Sequence, residues 1–353
     1  MKKSQISTIV VTALSFIVMN SACSSDGTES PVQQKQRIPL TLNATISNSQ
    51  EPLTRSYTGD DADTYGTQST SIYAGQTVWA WGNMTSNDAT HFSAWQLTAR
   101  GAGQLSTTDL NGSSHYYPDE NQSFYITAVH GNFSETISES SLTALPATLT
   151  HTVLADQSTA DSYAQSDLLY AKLTDITVPE PLRAQTLQFA HMLSKIEITL
   201  IPGSDPNSST ISYSVSDLSD ATVDIINVTT DATLTMSNGN VAAGSTTGSV
   251  RVKKSTDTSV GVTESGAAAA NYNWLEAVLP FQTIAATTAF IRVTLPSHNN
   301  RTLYYQAPTG GITLAKGTRY RFVFTVTPTV IKLSALYYQS SYEEQTIEVV
   351  PEA

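Results

Sequence analysis

Few residues in this chain have the types and spacing for chemistry. Cys23 is the one cysteine among 353 residues, so no internal disulfide can form. It follows Ser21 and Ala22, behind an apolar run from Ile6 to Met19 that opens with Lys2 and Lys3. That run is shorter than a typical spanning helix and has the layout of a secretory signal. Two readings of Cys23 follow. It is a spare thiol beside a cleavage site, or it is acylated and becomes the new N-terminus of a bacterial lipoprotein. NSAC departs from the usual lipobox at Asn20, but its small residues suit the narrow site of the signal peptidase.

Six histidines are present: His91, His115, His130, His151, His191 and His298. None pairs with another at metal-ligand spacing. His191, in FAHMLSKIEITL, reads as a structural histidine bonding a loop carbonyl. Serine, histidine and aspartate are abundant, yet no GxSxG elbow, P-loop or dinucleotide glycine pattern occurs. Asp60, Asp61 and Asp63 lack the ordered alternation and distal glutamate of a calcium loop, so they read as a solvated acidic loop. No enzyme, metal or cofactor is expected. The paired tyrosines Tyr116–Tyr117 and Tyr304–Tyr305 offer rings for stacking on sugars, or ordinary packing inside a sandwich.

Hydrophobic residues make up 40% of the chain and charged residues 14%, with a formal net charge of -12. Loss of residues 1–22 would remove two lysines and no acid, giving -12 - 2 = -14. Such a balance argues against a nucleic-acid partner. The mature protein is expected to be a folded body on a lipid tether.

The elements that must position these residues are strands. IPLTLNATI places Ile38, Leu40, Leu42, Ala44 and Ile46 on one face. TVWAWGNM, SFYITAVHG, MLSKIEITLI, ATVDIINV, AFIRVTL and RYRFVFTV continue the period of two, separated by Gly, Asn, Asp, Ser and Pro. Helical periodicity is nearly absent, with Asp161–Tyr170 the one candidate for a short turn or helix. The fold class is all-β, built from antiparallel sandwiches. Residues 1–22 are read as signal peptide and 23–37 as lipoprotein linker. Residues 38–183 are read as an N-terminal sandwich and 184–353 as a C-terminal one, divided at the proline-rich VPEPLRA. Asn238–Gly266 is expected to be a hairpin loop or insertion.

Several segments together resemble the fimbrillins, the lipoprotein pilins of anaerobic oral and gut bacteria. SDLLYAKLTDITV followed by LQFAHMLSKIEITLIPG is the most specific, with Phe189, His191, Leu193, Ser194 and Lys195 in the family's order. YYPDENQSFYITAVHG, LAKGTRYRFVFTVTP and LTRSYTGDD add to it. The resemblance implies two transthyretin-like β-sandwich domains and a place on the outer membrane or in a cell-surface fimbrium. It also implies assembly: an Arg-specific protease cuts after an arginine beyond the first strand, that strand leaves, and a neighbour's C-terminal strand fills the groove.

Carried onto this sequence, the plug strand is Ile38, Leu40, Leu42, Ala44 and Ile46. The cut falls at Arg55–Ser56, with Arg37 as a rival that would leave the plug in place. Leu333, Ala335, Tyr337, Ile347 and Val349, within 330–351, are the candidate donor residues. Partners would be other pilin subunits, the protease, membrane lipid through acylated Cys23, and a host or bacterial receptor. The alternative is a non-polymerising surface lipoprotein or tip adhesin that binds glycan or protein, carried by Tyr116, Tyr117, Tyr304 and Tyr305.

Overall fold

The computed structural model describes residues 37–46, 72–100, 103–106, 115–118, 122–254 and 273–339. In chain order the first strands are β1 (Leu42–Ile46), β2 (Thr77–Met84), β3 (Thr90–Thr98), β4 (Phe124–His130) and β5 (Thr148–Thr152). Helix α1 (Ala160–Ser166) precedes β6 (Leu169–Ile176) and β7 (Gln185–His191). Next come β8 (Ser194–Pro202), β9 (Ser204–Asp205), β10 (Ser208–Ser212), β11 (Thr222–Thr229), β12 (Asp231–Thr235), β13 (Asn240–Ala243), β14 (Thr247–Arg251) and β15 (Lys253–Lys254). The chain continues through β16 (Asn273–Leu279), β17 (Gln282–Ile284), β18 (Ala289–Leu295), β19 (Arg301–Gln306), β20 (Ile312–Leu314), β21 (Arg319–Val326) and β22 (Ile331–Gln339). The all-β class read from the alternation holds.

The first sheet has six strands in the order β1-β7-β6-β4-β2-β3. Its ends curl toward each other. Ala99 at the end of β3 bridges Leu105, and the neighbouring Gln104 bridges Asn43 of β1. Val78, Ala80, Leu97, Phe124, Ile126, Leu187 and Phe189 fill the interior. The opposite face of the same sheet is also apolar. Trp81, Ala94, Val129 and Tyr170 enter the core of the second half, beside Leu149, Val153 and Leu168. This two-sided burial explains why TVWAWGNM carries large hydrophobes at odd and even positions.

The second half packs a five-stranded sheet, β15-β16-β8-β21-β22, with a four-stranded one, β14-β11-β18-β19. Ile196, Ile198, Val223, Ile225, Val293, Phe322 and Phe324 lie in their shared core. A three-stranded sheet, β13-β12-β5, takes its third strand from the first half of the chain. The described residues after Arg37 therefore belong to one compact unit.

Three features differ from the sequence reading. Two pairings are parallel rather than antiparallel, β1 with β7 and β8 with β21. After VPEPLRA the chain returns to the first sheet as β7 and leaves it only at Met192–Leu193, so a unit ending at 183 omits the strand that carries β1. Part of the Gly/Ser/Thr-rich Asn238–Gly266 stretch is sheet, as β13, β14 and β15. Strand β13 pairs only with β12 and stays largely exposed, so it carries no apolar alternation to read. Helix α1 lies within the expected Asp161–Tyr170 window apart from Ala160, capped by Thr159, whose side chain accepts from the Ser162 amide.

Candidate assembly site

Strand β1 is the centre of the site. Leu42, Ala44 and Ile46 alternate with Asn43 and Thr45, and all three apolar side chains are buried in the first core. Leu40 is buried ahead of them, and Ile38 packs as a half-buried neighbour. The five residues read as a plug thus share the inward face.

Both backbone edges of this segment are occupied. On one side β1 runs parallel to β7, from Leu42 opposite Gln185 to Ile46 opposite Phe189. On the other side the chain around 103–117 wraps over it. The Leu40 amide donates to the His115 carbonyl at 2.8 Å, Tyr117 N–H to Ile38 O at 2.9 Å, and Ala44 N–H to Gly103 O at 2.8 Å. Gly103 has φ +76, and a Cβ there would stand 2.7 Å from the Ala44 carbonyl oxygen. Only glycine permits that approach without displacement. The Gln185 side chain donates to Tyr117 Oη at 3.1 Å, and burial pushes the Tyr117 hydroxyl's pKa up.

The candidate donor segment is divided. Leu333 and Ala335 lie on β22, which pairs antiparallel with β21 from Val326 opposite Ile331 to Arg319 opposite Gln339. The Tyr337 backbone stands opposite Arg321. Ala335 is buried and Leu333 half-buried. This stretch is an edge strand of its own sheet, so donating it requires release from β21. Cys23, Arg55, Ser56, Ile347 and Val349 lie outside the described residues, as do Asp60, Asp61 and Asp63.

The tyrosine platform does not form. Tyr117 and Tyr305 are buried, and Tyr116 is half-buried with the Arg37 guanidinium 5.9 Å from its ring centre. Tyr304 alone of the four is broadly open, at 53% exposure, beside Arg292 in register on the four-stranded sheet. His191 is also corrected: its Nδ1 lies 3.0 Å from the buried Asp167 carboxylate rather than on a loop carbonyl.

The segment FAHMLSK marks the passage between the two halves. Phe189 closes the first core, and Leu193 enters the second. Ser194 Oγ donates to the Ala315 carbonyl at 2.8 Å. Lys195 begins a charged row that sequence reasoning missed. Its Nζ lies 3.2 Å from Glu197 and 3.0 Å from Glu276, while Lys253 Nζ lies 2.8 Å from Glu276. Arg319 and Arg321 hold Glu197 from β21 at 2.7 and 3.0 Å. Burial pushes the Glu276 carboxyl up, but Lys195 and Lys253 outweigh it and hold the pKa near 2, lowered from 4.5 to about 2. The alternation of charge along SKIEIT is the signal that could have found this row. Among the described residues no group of His, Cys, Asp or Glu could hold a metal ion, and no helix is long and apolar enough to cross a membrane.

These features meet known proteins at the level of fold. A cell adhesion candidate from Bacteroides uniformis ATCC 8492 shares 18% identity at a TM-score of 0.56, covering 88% of this chain and 100% of that one. A second from Bacteroides ovatus ATCC 8483 shares 14% identity at a TM-score of 0.56, covering 90% and 100%. No curated protein matches the sequence. The model of one family, described as fimbrillin-like, matches residues 62–336, which spans both halves and the FAHMLSK passage between them. With most of its length under that match, the chain belongs to the fimbrillin-like family.

Proposed function

We propose that this chain is a fimbrial subunit of the cell surface that assembles by strand exchange at the β1 groove. It is a structural protein, not an enzyme. Family membership supports the fimbrial role. One observation carries the mechanism: an apolar strand near the N-terminal side of the described chain lies inside the first core with both edges hydrogen-bonded. Loss of Leu40, Leu42, Ala44 and Ile46 would bare a slot and two rows of backbone groups, which is a template for another strand. Refilling it with three large apolar side chains offers about 1.5–3 kcal/mol each, less the entropy of ordering the incoming strand.

In this reading the precursor is a lipoprotein acylated at Cys23 and carried to the outer membrane. An Arg-specific protease cuts at Arg55–Ser56, β1 leaves, and a C-terminal segment of the next subunit enters. Mature subunits form the fimbrium and carry adhesion to a host or bacterial surface. The chain is read as two domains, 38–183 and 184–353, with β7 returning to the first sheet.

Purified precursor treated with an Arg-specific protease should yield Ser56 as its new N-terminus, followed by a ladder of polymers. A chain that remains uncut and monomeric would overturn the mechanism. The tip-adhesin alternative now rests on Tyr304 beside Arg292. Glycan binding by uncut protein, lost in Tyr304→Ala, would favour it.

A further inference from the structure

Residues 153–168 form a strap that supplies no strand to a sheet and touches one by a single β-bridge, Asp156 to Arg251 of β14. It leaves β5, crosses to the second half, and returns through α1 to β6. On the far side the Gln157 side chain exchanges two hydrogen bonds with the Val278 backbone of β16, both at 2.9 Å. Tyr163 Oη reaches Glu276 at 3.5 Å. On the near side three histidines from three strands converge on the end of α1. His130 of β4 lies 2.9 Å from the Ala164 carbonyl, His151 of β5 lies 2.9 Å from the Ser166 carbonyl, and His191 of β7 lies 3.0 Å from Asp167.

We infer that His151 is an acid-operated release for this strap. Its ring is wholly buried and must be neutral to stay so. Nε2–H donates to Ser166, while Nδ1 faces Gly131, where even an added methyl carbon would sit 2.8 Å away. Among the described residues no acceptor meets Nδ1. A second proton there would leave a charged donor without a protein acceptor in a buried site. From β4, His130 points both nitrogens at carbonyls, Thr77 at 2.8 Å and Ala164 at 2.9 Å. Both nitrogens are thus engaged elsewhere, so His130 offers His151 no acceptor. The segment after α1 supplies one carboxylate, Asp167, which His191 already engages. Phe133 meets the ring edge-on at 5.9 Å, and β12 places Ala232 opposite.

Burial lowers the pKa of His151 from 6.5 to about 4, with the Ser166 bond and Asp167 opposing it and His130 adding to it. An unfolded or released His151 binds a proton below about pH 6.5. The docked strap refuses that proton until about pH 4. Docking is therefore strongest above pH 6.5 and is lost as the pH falls toward 4.

The test is amide hydrogen exchange on the full chain between pH 7 and pH 4, corrected for intrinsic rates. Leu154 N–H, which donates to Ser166 Oγ, and Val278 N–H, which donates to Gln157, report the strap. Their protection should fall on the order of 100-fold, while the Ile198 amide in β8 stays protected. His151→Gln keeps a donor for Ser166 but cannot titrate, and should hold its protection over this range. Equal losses in wild type and variant would overturn the inference. Should the variant fail to fold, the titration of His151 by NMR in the wild type decides. A midpoint below 5 supports the release, and one near 6.5 sinks it.

Discussion

Glu276 shows what single residues contribute. Two lysines hold it ionised in a buried row. Replacing it with glutamine leaves those cations short of a carboxylate, which typically costs about 3–5 kcal/mol. Urea denaturation of Glu276→Gln at pH 7 should show that loss. The row also sets an acid limit. The carboxyl's pKa is depressed to about 2 from 4.5, so its contribution is complete above pH 4.5 and is lost as the pH falls through 2. The wild type should lose up to about 3 kcal/mol over that window, and Glu276→Gln should lose correspondingly less. Little of this was legible in sequence. Asp167, just ahead of β6, and His191 of β7 are 24 positions apart, and no local periodicity joins them. Of the two readings of the tyrosine pairs, sandwich packing holds for Tyr117 and Tyr305, for a simpler reason. Neighbours on a strand face opposite sides, so Tyr304 and Tyr305 cannot both serve one ligand from β19.

Among the elements, β1 was the most readable, because one side of it is apolar without a break from Ile38 to Ile46. Its partner was not readable. Parallel pairing with β7 joins residues more than 140 positions apart, and nothing local encodes it. Leu42→Ala should destabilise the uncut chain by about 2–5 kcal/mol, measured by denaturant unfolding. The same groove gives a test in trans. Protease-treated protein should bind a synthetic Ile38–Ile46 peptide and then fail to polymerise, whereas a peptide with Leu42→Asp should not compete. Polymer formation undiminished by excess wild-type peptide would count against the groove. Strand β13 reads as loop in the sequence because an exposed hairpin edge needs no apolar alternation, only a partner for its backbone.

For the whole molecule, the sequence showed a chain of strands and a family likeness, but not how tightly the halves interlock. Strand β5 pairs with β12, and the first sheet's outer face lines the second core. Those contacts arise only when distant segments meet. The second half also bears on which segment is donated. Strand β22 completes its own sheet, so locking it should not stop assembly. A disulfide between Thr325→Cys and Lys332→Cys, opposite each other in register, in a Cys23→Ser background, should leave the polymer ladder intact. A ladder that appears only under reducing conditions would assign donation to β22 instead.

The parallel pairing of β1 with β7 has a mechanical side. A pull on the chain ahead of Arg37 acts at the N-terminal end of β1. The part of a pull from the second half that travels through Met192 acts at the C-terminal end of β7. In a parallel pair those two ends point in opposite directions, so tension slides the strands along each other. All the rungs between Leu42 and Ile46 then share the load at once instead of peeling one by one. If the proposed mechanism holds, a surface protein held at one end and dragged at the other would resist force by shear at the same strand that the mechanism has it release by a cut.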